Sequence, residues 1–418
     1  MAKAITALDA HTIMNLLQAQ ALGSVSITST DTSSFVSAGE SVLNTGIENT
    51  INALTVVFGK TVIAVRPYEA KITLIQEEDT GLYTNRIRKI SFYDKGSKEA
   101  GWQNTNAHNR NLYNGYDNTA QGTAPNGSVG SMWEQDKPVA IEFHFGGTNL
   151  YDFEITFYPD QLKAAFRSPE EFADFWNGMI LHKQNEIEQY KENKNRMTLL
   201  NYMAGLYDMS MAVDLVAEYN AFVGGGTFTG TDLRPGGSEA ANFMKFFVAY
   251  VKKLSSHFTE RSTQNHWNPT VIRDGVTYSD LPRNTPRSMQ KLFLHEDLIT
   301  DAEAWVLPTI FNDKFLKIEN YEAVSYWQSV DQRMGINVTP AIPDTSDPSQ
   351  QTVGTAVALD YVVGVLFDQD ACITNFQYEG TDPTPKEARK KYQNEWIHTA
   401  FNSINDFTEK GILLYMAS

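Results

Sequence analysis

Cysteine is almost absent: Cys372 is the only one in 418 residues, so no intrachain disulfide framework can form and synthesis in a reducing cytosol is the natural reading. Charge is sparse as well, at 20% of residues, and it is lopsided, with 34 Lys and Arg against 50 Asp and Glu for a formal net charge of -16. A protein whose main work is to grip nucleic-acid phosphates needs the opposite sign, because that affinity comes from lysine and arginine releasing counterions. Long apolar runs are missing: no window reaches the roughly 18 residues of a membrane span. The opening Met1-Ala2-Lys3-Ala4-Ile5-Thr6 lacks the charged start and apolar core of a signal peptide. The expectation is a soluble, unsecreted protein.

Signatures of catalysis and of cofactor binding are scarce too. The eight histidines are dispersed, without a His-x-His or His-Glu-x-x-His cluster to hold a metal, and His144 reads as an ordinary sheet residue. The glycine-rich run Gly224 to Gly230 has no Gly-Lys-Ser or Gly-Lys-Thr ending and no apolar strand before it, so it reads as a hinge and not a phosphate cradle. Asp344, Asp347, Asp368 and Asp370 lack the glycine and terminal glutamate of a calcium loop and read as solvated loop acids. Asn394-Glu395 matches the pair found in barrel glycosidases, but the chain beyond Glu395 is too short for the remaining strand and helix units. No catalytic, cofactor-binding or metal-ligating residue is assigned, and the expectation is a protein that is not an enzyme and needs no cofactor.

What is present is an apolar content of 42%, enough for a substantial core in one elaborate domain or two to three lobes. The surface must be rich in neutral hydrogen-bonding groups, as suits contacts between identical subunits or an extracellular binding protein. Residues 7 to 22 predict a short amphipathic helix, followed by a Ser/Thr-rich stretch. A second helix is predicted from Ser37, whose spacing to Glu40 suits a capping box, to near Gly59. Strand character follows from Thr61, and Ile72 to Gln76 and Arg86 to Phe92 flank Asp79-Thr80-Gly81 as a hairpin. Residues 103 to 130 are dense in Asn, Gly and Thr and offer little core. Two alternating strands, 140 to 145 and 151 to 157, then stand either side of the turn signal Gly146-Gly147.

The strongest local signal is Ser168-Pro169-Glu170-Glu171, an N-cap serine with proline at the first helical position. The helix it opens carries Phe172, Phe175 and Trp176 on one face, as core rather than a ligand shelf, and runs without proline to Gly205, roughly 55 Å at 1.5 Å per residue. Its middle, Lys183 to Arg196, is too polar for a coiled-coil seam. Beyond it come a helix from Ser238 to Leu254, a strand at Lys291 to Leu298, a helix from Asp301 to Phe311 and a proline-rich surface loop, Pro340 to Ser349. Apolar strands at Tyr361 to Phe367 and Gly411 to Tyr415 close the chain, with a polar region around Lys386 to Lys391 between them. The class is α+β, with no internal repeat.

Five segments carry a family likeness: Thr30 to Val36, Val65 to Tyr68, Phe166 to Phe172, Val363 to Asp368 and Asn405 to Glu409. Together, and in this order, they make the chain resemble the major capsid proteins of tailed bacteriophages with the Hong Kong 97-like fold, of the type predicted from gut viruses. The resemblance implies an N-terminal arm (1–60), an extended loop (61–139), a peripheral domain holding the spine helix (140–207), an axial domain (208–375) and return strands of the peripheral domain (376–418). It also implies many copies assembling as pentamers and hexamers into an icosahedral shell around double-stranded DNA, without sequence-specific binding and without a membrane. Portal, scaffolding or head-completion proteins would be its partners, and the virion its location after synthesis in the bacterial cytoplasm. In such a shell Arg86, Arg88 and Lys89 are expected to meet acidic groups of a neighbouring subunit. The competing readings are a glycan-active hydrolase or binding protein, and another cage-forming structural protein.

Overall fold

The computed structural model describes residues 7–45, 49–50, 53, 76–77, 86–93, 140–146, 149–158, 161, 164–273, 276–278, 281–305, 321–344, 350–385, 387, 389 and 392–417. The chain opens with helix α1 (Ala7–Leu22) packed against α2 (Thr32–Leu43). Helix α2 starts ahead of the predicted Ser37, because Asp31 takes the N-cap. The Asp31 carboxylate accepts from the Ser34 N–H at 2.7 Å, and the Asp31 N–H donates to Ser34 Oγ at 2.9 Å. Aspartate caps as well as serine, and this start sets Phe35, Ala38, Gly39 and Val42 on one buried face. The helix closes at Leu43, where the Asn44 N–H reaches Glu40 O at 2.9 Å. Gly59, the expected end, lies outside the described residues, as do Thr61 to Ile75.

The strands around the turn signal Gly146-Gly147 pair elsewhere than with each other. Of strands β1 (Gln76–Glu77), β2 (Arg86–Phe92), β3 (Ala140–Gly146) and β4 (Asn149–Phe157), β2 pairs antiparallel with β3, from Arg86 opposite Gly146 to Phe92 opposite Ala140. Gln76, the one described residue of the expected partner strand, lies opposite Ile373 of a later strand, and residues 72 to 75 lie outside the described residues. Strand β4 in turn leaves β3 for the C-terminal strand Gln393–Asn405. Sequence neighbours separate here because their apolar faces enter different cores. Ile141 and Phe143 of β3 pack with Tyr93 and Leu281, whereas Phe153, Ile155 and Phe157 of β4 pack with α1 and α2. Strand pairing follows such packing more than local propensity.

Helix α3 (Pro169–Asp208) runs for 40 residues, about 60 Å at 1.5 Å per residue. Ser168 Oγ accepts from the Glu171 N–H at 3.1 Å, as the sequence predicts. Its first half packs on α1, α2 and β4, with Phe172 buried, and its second half on a five-stranded sheet. The polar middle is drawn inward at three positions: Glu192, Asn195 and Arg196 are buried. Arg196 satisfies its charge with Glu192 at 3.0 Å and the carbonyl oxygens of Tyr326 and Trp327. Met197, which the helical spacing assigns to the core face, is half exposed.

After α3 come β5 (Ala212–Asp214), α4 (Leu215–Phe222), the single turn α5 (Gly230–Leu233) and α6 (Ala240–Thr259). The ribbon β6 (Val271–Arg273) with β7 (Val276–Tyr278), then β8 (Gln290–His295), α7 (Glu296–Trp305) and β9 (Tyr321–Val324), continue the chain. Helix α7 begins before the expected Asp301, because Leu298 and Ile299 join the core. Two short ribbons follow, β10 (Ile336–Val338) with β13 (Val357–Leu359) and β11 (Ala341–Pro343) with β12 (Gln351–Val353). The segment expected as a plain loop from Pro340 thus starts with a strand. The last strands are β14 (Val362–Asp368), β15 (Cys372–Pro383), β16 (Gln393–Asn405) and β17 (Gly411–Tyr415).

Two larger sheets result, ordered β1-β15-β16-β4 and β5-β17-β14-β8-β9. The five-stranded sheet is the middle of three layers. Val362, Val365, Phe367, Phe293 and Leu413 face α3, while Val363, Leu366, Leu292, Leu294, Ile412 and Leu414 face α4, α6 and α7. All seven residues of β14 are buried, as a strand covered on both faces requires. Strand β17 pairs with β14 and β5, so the chain end lies in the sheet built from residues 208 to 375.

Candidate functional site

The structure separates the residues that could have suggested catalysis. Asn394 and Glu395 are consecutive in β16 and point to opposite faces: Asn394 contacts Thr156 and Glu154, whereas Glu395 is fully buried. His144 occupies a ladder position in β3 opposite Arg88. Asp368 accepts from Thr285 Oγ1 at 2.6 Å and from the Asp370 N–H at 3.0 Å, which uses it as a turn anchor. Asp344 holds its loop through a backbone bond to Gln350, and Asp347 lies outside the described residues. Among the described residues, no three His, Cys, Asp or Glu side chains come together as a metal site. The glycine run turns at Gly224 and Gly225, both in the left-handed region, and Asn220 holds it by bonds to both backbone groups of Phe228 at 2.8 and 2.9 Å.

What the fold does bring together is a polar junction around the turn Asp406 to Lys410, which links β16 to β17. Gly411 and Gly205 let this turn sit directly on α3: a Cβ at Gly411 would meet the Tyr202 hydroxyl, and one at Gly205 the Phe407 ring. Phe407 stacks on Tyr202 at 5.3 Å between ring centres. Asp406 Oδ1 accepts from Thr408 N at 2.9 Å and Thr408 Oγ1 at 2.6 Å. From the ribbon, Lys89 donates to Asp406, Glu409 and Thr408 Oγ1. Arg283 adds contacts to Thr408 O at 3.2 Å and Ser91 Oγ at 2.6 Å, with Glu409 at 3.6 Å.

Beneath the turn, Lys410 is fully buried and donates to Glu260 O at 2.6 Å, Ser262 Oγ at 3.0 Å and His257 O at 3.4 Å. Burial holds its ammonium below the usual lysine range. Burial also pushes the Asp368 carboxyl up to about 6, with Glu409 and Asp370 acting in the same direction. The junction is therefore structural chemistry: it ties the ribbon, both larger sheets and α3 at one place. Sequence reasoning missed Lys89, Arg283, Glu409 and Lys410 as partners, since some 320 residues separate Lys89 from Glu409. It also misplaced the contact of Lys89, which is made within the chain; the side chains of Arg86 and Arg88 are not described. Only Asn405 to Glu409 had stood out, as one of the segments of family likeness.

The fold thus combines a 40-residue helix, a three-layered sheet lobe and a second sheet packed against the N-terminal helices. The capsid structure of Staphylococcus phage Andhra shares it, with a TM-score of 0.51 at 9% identity over 83% of this chain and 84% of that one. Also similar are a chain in the structure of head fiber and inner core protein gp22 of native bacteriophage P68, with a TM-score of 0.46 at 9% identity over 82% of this chain and 83% of that one, and the mature capsid of bacteriophage PhiM1, with 0.41 at 8% over 84% and 88%. No curated protein sequence matches. The sequence profile of the Phi29-like phage major capsid proteins matches residues 106–413, about three quarters of the chain. The chain belongs to that family, a capsid shell protein whose architecture accords with the expected Hong Kong 97-like fold.

Proposed function

We propose that copies of this chain close as pentamers and hexamers into an icosahedral shell around a double-stranded DNA genome, acting by assembly and not by catalysis. The family match over residues 106–413 carries this reading. The net charge of -16 supports a shell that encloses DNA without gripping its phosphates. Portal, scaffolding or head-completion proteins are its expected partners, and the bacterial cytoplasm its place of synthesis. No described helix is long and apolar enough to cross a membrane.

The unit boundaries follow the division 1–60, 61–139, 140–207 and 208–375. Strand β17 supports placing residues 411 to 417 with the 208–375 lobe, and β15 and β16 support joining 376–405 to the unit of 140–207. The outward face of the β2–β3 ribbon, where Ile90 and Phe92 are 47% and 62% exposed, is the proposed contact with a neighbouring copy. Electron microscopy of the purified, concentrated protein tests the reading. Closed particles or capsomers of uniform size are expected, and a monodisperse monomer at every concentration would overturn it.

A further inference from the structure

The β2–β3 ribbon is weakly built compared with the rest of the described chain. Among the described residues it forms a two-stranded sheet, and a two-stranded sheet is marginal in water when it stands alone. Only four buried apolar residues lie in the cluster beneath it, Tyr93, Ile141, Phe143 and Leu281, against the large clusters on both faces of the five-stranded sheet. Its inward face is fastened instead by polar groups at alternate positions. Lys89 reaches Asp406, Thr408 and Glu409, Ser91 accepts from Arg283 at 2.6 Å, and Tyr93 Oη donates to Pro269 O at 2.7 Å.

We propose that Lys89 is the pin of an ion-pair latch, closed on Asp406 and Glu409, that holds the β2–β3 ribbon on the body of its own subunit and lets the ribbon detach as a unit while both larger sheets stay folded. The receptacle is held by bonds of its own. Asp406 is 3% exposed and accepts two hydrogen bonds from Thr408, neither of which involves Lys89. Three of the charged groups face the pin directly: Asp406, Glu409 and, as the competing cation, Arg283, while Lys410 is turned away toward Glu260 O. The Lys89 side chain keeps 24% of its surface in solvent, so mobile ions reach the latch and weaken it. Segments held by few apolar contacts open locally at lower free energy than the global transition. The ribbon's two strands are the ones that bracket residues 94 to 139 in the sequence. The inference uses contacts within one subunit and does not depend on the shell reading.

Hydrogen–deuterium exchange on the unassembled full chain, read at 86–92 and 140–146 against β14, tests it. In the wild type, ribbon exchange should rise with salt while β14 exchange does not. Lys89→Met keeps the aliphatic stem and should accelerate ribbon exchange about tenfold or more, the size expected for loss of charge-assisted contacts, and abolish its salt dependence. Lys89→Arg should retain most of the protection. Should Lys89→Met fail to fold, Glu409→Gln, which removes one of the two acids, should give a smaller acceleration of the same amides. A wild-type ribbon insensitive to salt, or ribbon and β14 losing protection together, would sink the latch. So would exchange in the variants equal to the wild type.

Discussion

Single residues in this chain are governed by where the fold buries them. Cys372 is fully buried beside the Asn405 side chain, and burial pushes its thiol well above the ordinary range. A thiol reagent should therefore label it slowly under native conditions and at once after unfolding; rapid native labelling would contradict the packing. Asp368 makes a pH prediction whose sign follows from its raised pKa. Its folded-state value of about 6 exceeds the unfolded carboxylate value, so the stability it contributes is fully present below pH 4 or so and is lost as pH rises through about 6. The size of the effect is about 3 kcal/mol. Asp368→Asn retains one acceptor and cannot ionise, so its unfolding midpoint should gain on the wild type between pH 5 and pH 7.5. A constant difference across that range would show that the carboxylate does not titrate there.

At the level of elements, α3 is the member that touches both larger sheets, which makes its continuity testable. Ile187 lies partly buried against the cluster of α1, α2 and β4. Ile187→Pro removes an internal hydrogen bond and clashes with the preceding turn, at a cost of about 3 kcal/mol or more. Far-ultraviolet circular dichroism should show lost helix and electron microscopy should show no closed particles; normal particles in normal yield would refute the spine role. This helix was legible because its signals are local: Ser168, Pro169 and Glu171 act within one turn. The same holds for β14, whose apolar run needs no partner to be recognised as strand. Pairing was not legible. Nothing near Arg86 to Phe92 names Ala140 to Gly146 as its partner rather than Ile72 to Gln76, because the choice is made by what each apolar face later packs against. The β15–β16 hairpin escaped notice for a related reason: its alternation is diluted by polar residues such as Asn375 and Gln393 that the fold buries.

For the whole molecule, the prediction concerns residues 103 to 130. Their density of Asn, Gly and Thr leaves too little apolar surface to offset the entropy of ordering them alone. Limited proteolysis of unassembled subunits should cut between Gln103 and Gly130 first, and assembled particles should resist. Equal rates in the two states would mean that assembly does not protect this stretch.

By itself the sequence determined the capped spine helix, the apolar strand β14, the acidic balance that disfavours phosphate binding and, through five spaced segments, the family likeness. These are properties of composition or of interactions spanning a few residues. Tertiary structure alone decided that β17 closes the sheet of the 208–375 lobe, that Glu395 is buried while Asn394 faces the other way, and that Lys89 meets Asp406 and Glu409. Each of these is a contact between distant segments, settled by which apolar faces find a common core and which charges that packing leaves within reach of one another.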